Sequence, residues 1–351
     1  MGSDAVRPMY SHVRTLGFDK VPRIDLFLFS EGGAVDVPWR MVMMLREYCD
    51  ELGVLVPYKA HSAATLIALG ADHIVMGKKG ELGPIDPILT RTQQGEETVV
   101  QEQISVEDVM AFVAFLKERA GLGDQSAIAD SVSILIDKLT PWVVGSVYRT
   151  HSHIRSIARR LLTSHRQGLE ERQIDQIVES LAEKTYSHGH AIGRAEATEI
   201  GLRIEKPDEA LDATMWQLFE AYEALMNLNC PIDPKGIIPL GQNEHEESGI
   251  LACIESDSRF DVFRGTLKFH HVRQPLPKLN LNLNLNLQLP PNISPEQLPG
   301  QAQNVIQQML QQLQGKIASM VQTELQNQAP IQHTQAGLFN ACWQEATSED
   351  T

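Results

Sequence analysis

The stretch Pro57-Tyr58-Lys59-Ala60-His61-Ser62-Ala63-Ala64-Thr65-Leu66-Ile67-Ala68-Leu69-Gly70-Ala71-Asp72-His73-Ile74-Val75-Met76 decides the fold. Its middle, from Ala60 to Leu69, combines small residues with an apolar repeat and predicts a buried helix. Gly53-Val54-Leu55-Val56-Pro57 before it and His73-Ile74-Val75-Met76 after it read as short buried strands. Further upstream, Ile24-Asp25-Leu26-Phe27-Leu28-Phe29 is an apolar, aromatic-rich run ended by Ser30-Glu31-Gly32-Gly33, a strand entering a tight turn. Between these strands, residues 38–52 place Met41, Met44, Leu45 and Tyr48 at helical spacing. Strand and helix alternating at this spacing predict parallel βαβ units. Functional groups in such sheets gather at the carboxyl ends of strands, where Gly32-Gly33 and Ser62 both fall.

Outward from this block the pattern is helical over residues 106–118, 128–139 and 147–169. Further helices follow over 171–184, over 196–200 with a stop at Gly201, and over 211–228. Residues 250–255 and 260–269 read as two strands joined by Ser256-Asp257-Ser258-Arg259, a hairpin. Residues 279–289 alternate one apolar with one amide side chain between Pro275, Pro277, Pro290, Pro291 and Pro295, which suits an edge strand or a linker equally. A glutamine-rich helix over 305–325 carries Ile306, Met309, Leu310, Leu313, Ile317 and Met320 as one stripe, fit either to pair with a copy of itself or to pack on its own domain. Residues 347–351 are expected to be loose. The expected division is a catalytic-type domain over 9–228, a hairpin extension over 229–273, and a Leu/Asn linker with a helical tail over 274–351.

Composition excludes several classes. The 351 residues (39.1 kDa) are 42% hydrophobic, enough for a sizeable core. With 30 Lys+Arg against 45 Asp+Glu the formal charge is −15, which works against nucleic-acid binding. The one basic concentration is Arg149, Arg155, Arg159, Arg160 and Arg166, and no interleaved aromatic set or reading motif accompanies it. Cys49, Cys230, Cys253 and Cys342 lack the spacing of a zinc knuckle, and such sparse use fits a reducing, cytoplasmic setting. No signal peptide and no transmembrane segment are expected. The histidines at 151, 153, 270 and 271 show no metal-ligand spacing, and no Gly-x-Gly-x-x-Gly follows a strand, so neither metal nor nicotinamide cofactor is expected.

Chemistry centres on Ser62, where a strand gives way to a helix. A serine nucleophile needs an exposed hydroxyl, a base, and donors for the developing oxyanion. Free N–H groups at the helix start, Ala63 among them, and the backbone of Gly32-Gly33 could supply the donors. The competing reading, equally weighted on pattern alone, is that Ser62 caps the helix.

The segments 57–72 and Gly80-Glu81-Leu82-Gly83-Pro84-Ile85-Asp86-Pro87 closely resemble the serine dehydrogenase proteinase family, distant relatives of the Clp-type proteolytic subunit and the signal-peptide peptidases. Asp25-Leu26-Phe27-Leu28 with Gly32-Gly33, Gly145-Ser146-Val147-Tyr148-Arg149, Ser187-His188 and Glu196-Ala197-Thr198-Glu199-Ile200-Gly201-Leu202 match as well. The resemblance covers residues 20–225 and, more faintly, runs to 270. It implies an α/β ClpP/crotonase-like parallel sheet with a helical insertion, extended by a small C-terminal β hairpin and a helical appendage. It also implies a serine peptidase with a Ser, Asp, His triad: Ser62, Asp86 and His188, served by an oxyanion hole of the Gly32, Gly33 and Ala63 backbone. The substrate implied is a peptide or protein, with no cofactor. This chain has Ala64 where the family pattern has glycine. Only a handful of residues precede the part beginning near Met9, where the family has another strand, so the sheet lacks that edge strand or the start is trimmed.

Each role has a competitor. Asp86 beside a proline could cap a turn; Asp72 reads as a turn residue; His190 lies two residues from His188; and His61, next to the nucleophile, is expected to point elsewhere. A lysine base is the variant mechanism, with Lys59, Lys78 and Lys79 as candidates. A catalytically inactive scaffold and an acyl-thioester enzyme of the crotonase kind are the other classes. The expected partner is a second copy contacted through the arginine-bearing helix, helped by the glutamine-rich one. No nucleotide-binding loop is present, so any ATP-dependent unfoldase would be a separate protein.

Overall fold

The computed structural model describes residues 1–85, 88–94, 99–105, 109, 111–112, 115–116, 125–182, 189–230, 233, 236–277 and 299–347. In chain order the elements are α1 (Val6–Val13), β1 (Val21–Phe27), α2 (Val37–Arg46), β2 (Cys49–Val56), β3 (Lys59–Ala60), α3 (Ala63–Leu69), β4 (His73–Met76) and β5 (Glu81–Leu82). There follow β6 (Ile88–Gln94), β7 (Val99–Ser105), α4 (Gln125–Thr163), α5 (Glu171–Ala182), α6 (Arg194–Ile200), β8 (Ile204–Glu205) and α7 (Glu209–Leu225). The last are β9 (Glu244–Ser256), β10 (Arg259–Arg273), α8 (Gly300–Gln328) and β11 (Ile331–Glu345). Two compact units result: residues 1–228 with 252–262 and 343–351, and residues 229–251 with 263–342.

The first unit is α/β. Its main sheet is parallel, in the order β1-β2-β4-β8, with Leu26 opposite Val54, Val54 opposite Ile74, and Ile74 opposite Ile204. β2 buries Leu52, Gly53, Val54 and Val56, the near-continuous burial of a strand covered on both faces. Every residue of α3 is buried, which its alanines permit by letting neighbours approach closely. Met41, Val42 and Leu45 of α2 and Ile154, Ala158, Leu161 and Leu162 of α4 pack with it in one core, which Ile177 and Leu181 of α5 join through α4. The predicted helix over 38–52 stops at Arg46, because Cys49 onward is taken up by parallel pairing with β1.

Asp72, expected as a simple turn residue, is instead a buried junction at 5% exposure. It accepts the N–H of Leu52 (2.9 Å) and of Arg166 (2.7 Å), and both ends of the Arg46 guanidinium reach it (3.2 and 3.3 Å). Burial pushes its carboxyl up, but the Leu52, Arg166 and Arg46 donors together outweigh burial and hold it below the usual range. The same contact explains where α4 ends: the helix predicted to reach residue 169 stops at Thr163, and the Arg166 N–H goes to Asp72.

Two separate predicted helices, over 128–139 and from 147, are one. α4 runs unbroken through Pro141, which forfeits a backbone bond without ending the helix. The arginines expected to await a neighbour are engaged within the chain. Arg159 pairs with Glu171 (3.4 Å) and with Asp175, Arg166 pairs with Glu51 (2.9 Å), and the Arg160 guanidinium lies 3.8 Å from the centre of the Trp39 ring. The predicted hairpin is present as β9 and β10, longer than read, and residues 252–262 are tied into the first unit. There His12, buried, meets Ser256 Oγ at 2.8 Å and Asp261 Oδ2 at 3.2 Å.

β9 and β10 continue into the second unit, whose three-stranded sheet is ordered β11-β10-β9. β11 lies in the stretch read only as a helical tail. The alternating Leu/Asn residues 279–289 lie outside the described residues. Among the described residues no helix is long and apolar enough to cross a membrane, and no group of three or more His, Cys, Asp or Glu could hold a metal ion.

Asp72→Asn should destabilise the protein by roughly 3–5 kcal/mol, because an amide donor would oppose a backbone N–H and strand the Arg46 charge. Asp72 has a lowered folded pKa, so its stabilisation is present above the unfolded value and is lost as pH falls through the folded one. Urea unfolding should therefore show a wild-type advantage at pH 7 that narrows in acid; a constant gap would refute the assignment.

Candidate active site

Ser62 sits between β3 and α3 with φ 52° and ψ −111°. An L-residue avoids that region, at a cost of about 1–3 kcal/mol. Among the described residues the other non-glycine residues with positive φ are Asn227 and Asn340, a type that tolerates it. Ser62 has no such excuse. It occupies the N-cap position of α3, but its side chain makes no capping bond. No other described residue hydrogen-bonds its hydroxyl either.

Neighbouring backbone holds this conformation. His61 N–H donates to Ser30 O (3.0 Å), Ala64 N–H to His61 O (2.9 Å) and Leu66 N–H to Ser62 O (3.2 Å). Ser30 N–H in turn donates to Lys59 O (2.9 Å), so the turn leading to Gly32-Gly33 is laced alongside β3. Gly32 has φ +118°, and a Cβ there would lie 3.0 Å from Ser62 Cβ and 3.4 Å from its hydroxyl. Only glycine permits that approach. The Gly32 N–H is committed to Ser30 Oγ (3.1 Å). The N–H groups of Gly33 and Ala63 have no partner among the described residues. Met1 runs beside this turn: its ammonium donates to Gly32 O, and Ala34 N–H donates to Met1 O (2.9 Å).

Asp86 and His188 lie outside the described residues, but the segments that flank them are described. Leu82 exchanges both backbone bonds with Ile192 (2.9 and 2.8 Å), and Ile85 N–H donates to Leu181 O (3.1 Å). The chain leaving Leu181 and returning at Ile192 is thus anchored at both ends on residues 82–85. That strand is fastened to the serine turn by Thr65, fully buried, whose hydroxyl accepts from Gly83 N–H (3.1 Å) and lies 2.7 Å from Ala60 O and 2.8 Å from Gly83 O. Thr65 is the residue that sequence reasoning passed over; its place three residues into a buried helix was the available signal.

The competitors are placed as follows. His190 Nε2 lies 2.8 Å from Glu196 Oε1. His61 packs its ring against Gly83, with Nε2 3.2 Å from Glu81 Oε1 but not aligned for a hydrogen bond; burial lowers its pKa, opposed by Glu81. Lys59 bonds Glu31 (2.9 Å), which raises the lysine pKa and lowers that of Glu31. Lys78 lies 3.8 Å from Asp212, and Lys79 4.0 Å from Glu81. A cavity of about 400 Å³ opens between Pro57, Gly77, Lys79, Asp212 and Trp216, and Ser62 does not line it.

A serine in a strained strand-to-helix turn, close against a glycine at positive φ, is an arrangement in which a serine hydroxyl can be presented for nucleophilic attack. Residues 9–119 match the ClpP-like SDH-type serine proteinases. Ser62, Gly32, Gly33, Ala63 and Thr65 all fall inside the matched segment, whereas His188 falls beyond it. Two relatives from Methanocaldococcus jannaschii are uncharacterized proteins: MJ0137, 42% identical over 66 residues (19% of this chain, 23% of that one), and MJ1495, 38% identical over 64 residues (18% and 22%). The chain spans less than a quarter of the length of these relatives. Among solved structures, a mutant of the 1510-N membrane-bound stomatin-specific protease is 16% identical with a TM-score of 0.35, over 60% of this chain and 77% of that one.

Thr65→Val, which keeps the shape and removes the hydroxyl, should cost about 1 kcal/mol, because the hydroxyl's bonds to Gly83 and Ala60 are lost and Gly83 N–H keeps only its longer bond to Ala60 O (3.3 Å). Thr65→Ser should restore most of the urea midpoint. If the valine variant matched wild type, Thr65 would not be the fastening between the two segments.

Proposed function

We propose that this protein is a serine peptidase-like hydrolase in which Ser62 attacks the carbonyl carbon of a peptide or ester bond. In this reading His188 takes the Ser62 proton, Asp86 orients and stabilises the resulting imidazolium, and the tetrahedral oxyanion is met by the N–H groups of Gly33 and Ala63. Gly32 contributes close backbone approach rather than a donor, its own N–H being engaged by Ser30. Collapse expels the amine or alcohol, which receives the proton from His188. Water, deprotonated by the same histidine, then hydrolyses the acyl-enzyme.

The observation that carries the reading is the strained Ser62 backbone, whose hydroxyl is left unspent by the described residues. The match of residues 9–119 to a serine proteinase family supports it. The bonds of Leu181 and Ile192 to residues 82–85 support the choice of Asp86 and His188, since those described residues flank the two in the chain. The lysine variant is disfavoured because Lys59 is held protonated by Glu31. Folded substrates would need a separate ATP-dependent unfoldase, and the cytoplasm is the setting that the cysteine usage suits. Self-association belongs to the same reading, but not through arginines awaiting a neighbour, because Arg159, Arg160 and Arg166 are engaged within the chain.

A fluorophosphonate probe should label Ser62 in wild type and not in Ser62→Ala, with peptide mapping to identify the site. His188→Ala and Asp86→Asn should each slow labelling by on the order of 10³-fold or more. Absence of wild-type labelling would sink the hydrolase, while unchanged labelling in His188→Ala would move the base elsewhere.

A further inference from the structure

α8 is 29 residues long, about 44 Å, and none of its described residues is buried. Its apolar residues form a stripe even so: Val305 (51% exposed), Met309 (60%), Leu313 (49%) and Met320 (71%) stand on it beside the half-covered Ile306, Leu310 and Ile317. An amphipathic helix with its stripe bare has not yet met what covers it.

The order of residues along the stripe says what that is. Read outward from Gly315 in both directions, four pairs of apolar positions coincide, Leu313 with Ile317, Leu310 with Met320, Met309 with Val321, and Val305 with Leu325, while Ile306 falls opposite Glu324. A stripe that maps onto itself when reversed is what a two-fold axis across the helix requires. In such a contact residue i meets residue j of the partner and j meets i. Charge selects the same occupant. Two copies of a chain carrying −15 repel one another over most of their surface, yet α8 holds only Lys316 and Glu324 among its 29 residues. Glutamines flank the stripe and are uncharged hydrogen-bonding partners in either copy.

We infer that α8 is a self-association element, pairing antiparallel with α8 of a second copy about an axis level with Gly315. The contact is independent of the Ser62 chemistry and joins chains without using the arginine-bearing face of α4.

Light scattering after size exclusion reads the outcome on the full chain. Wild type should run as a multiple of 39.1 kDa, and Leu313→Glu with Met320→Glu should halve that mass. Both side chains are exposed in the single copy, so circular dichroism should be unchanged. A wild-type species of 39.1 kDa at high micromolar concentration, or an oligomer whose mass ignores the double substitution, would overturn the inference. Orientation is read by disulfides in a Cys230→Ser, Cys342→Ser background. Mixing Met309→Cys with Val321→Cys should give a linked pair. Neither alone should, because the two Met309 positions would lie about 18 Å apart along the axis. Rapid linkage of Met309→Cys to itself would mean a parallel pair and refute the two-fold arrangement.

Discussion

The backbone of Ser62 is the constraint around which the first unit is arranged. A residue held at φ 52° persists only if its surroundings over-determine it, and here they do. On one side the turn at Ser30 is laced to β3; on the other, Thr65 draws Gly83 against the start of α3. Each fastening is an ordinary hydrogen bond of about 1 kcal/mol net, and several together offset the strain. The result has chemical meaning. A serine in helical-cap geometry would spend its oxygen on the helix N–H groups, whereas among the described residues neither the Ser62 hydroxyl nor the Ala63 N–H has a partner.

Stability and chemistry are separated along the strand direction. Asp72 precedes β4 and joins its amino end to Leu52, Arg46 and Arg166, all remote from the serine turn in the strand sense. Ser62 and Gly32-Gly33 follow strands at their carboxyl ends. This division is intrinsic to a parallel sheet, in which all strand ends of one kind share one edge. It allows a firmly tied edge to support a strained one, so the cost of the Ser62 turn can be carried by contacts that do not touch substrate.

The sequence made the parallel βαβ core legible because burial there is nearly continuous. Strands such as Val54-Leu55-Val56 and Ile74-Val75-Met76 have no polar face to blur the period, and α3 is small-residue throughout. Ser62 could be picked as a candidate by position, but its φ could not, since a cap and a nucleophile occupy the same place in a linear string. Asp72 was misjudged because its partners stand 20, 26 and 94 residues away. The engaged arginines of α4 were hidden for the same reason. β11 escaped because Ile331 to Glu345 is mixed in polarity, and its strand state comes from pairing with β10, a non-local interaction that outweighs weak local preference.

The ionisable groups next to Ser62 bear on which residue can take its proton. A general base must be unprotonated near neutral pH and within reach of the hydroxyl. Lys59 fails the first condition: its bond to Glu31 stabilises the ammonium, and desolvation opposes this only in part. Its positive charge is largely answered by Glu31, whose carboxyl is held below the usual range by the same bond. His61 meets the protonation condition, because burial lowers its pKa, but its ring is turned against Gly83 with Nε2 towards Glu81. His190 is directed to Glu196. With each described neighbour committed in this way, the base in the proposed mechanism comes from the segment between Leu181 and Ile192, whose two ends are bonded to the strand that leads to Asp86. An acid and a base brought to one serine from segments about a hundred residues apart need no particular chain order, only that both segments be fastened to the turn that holds it.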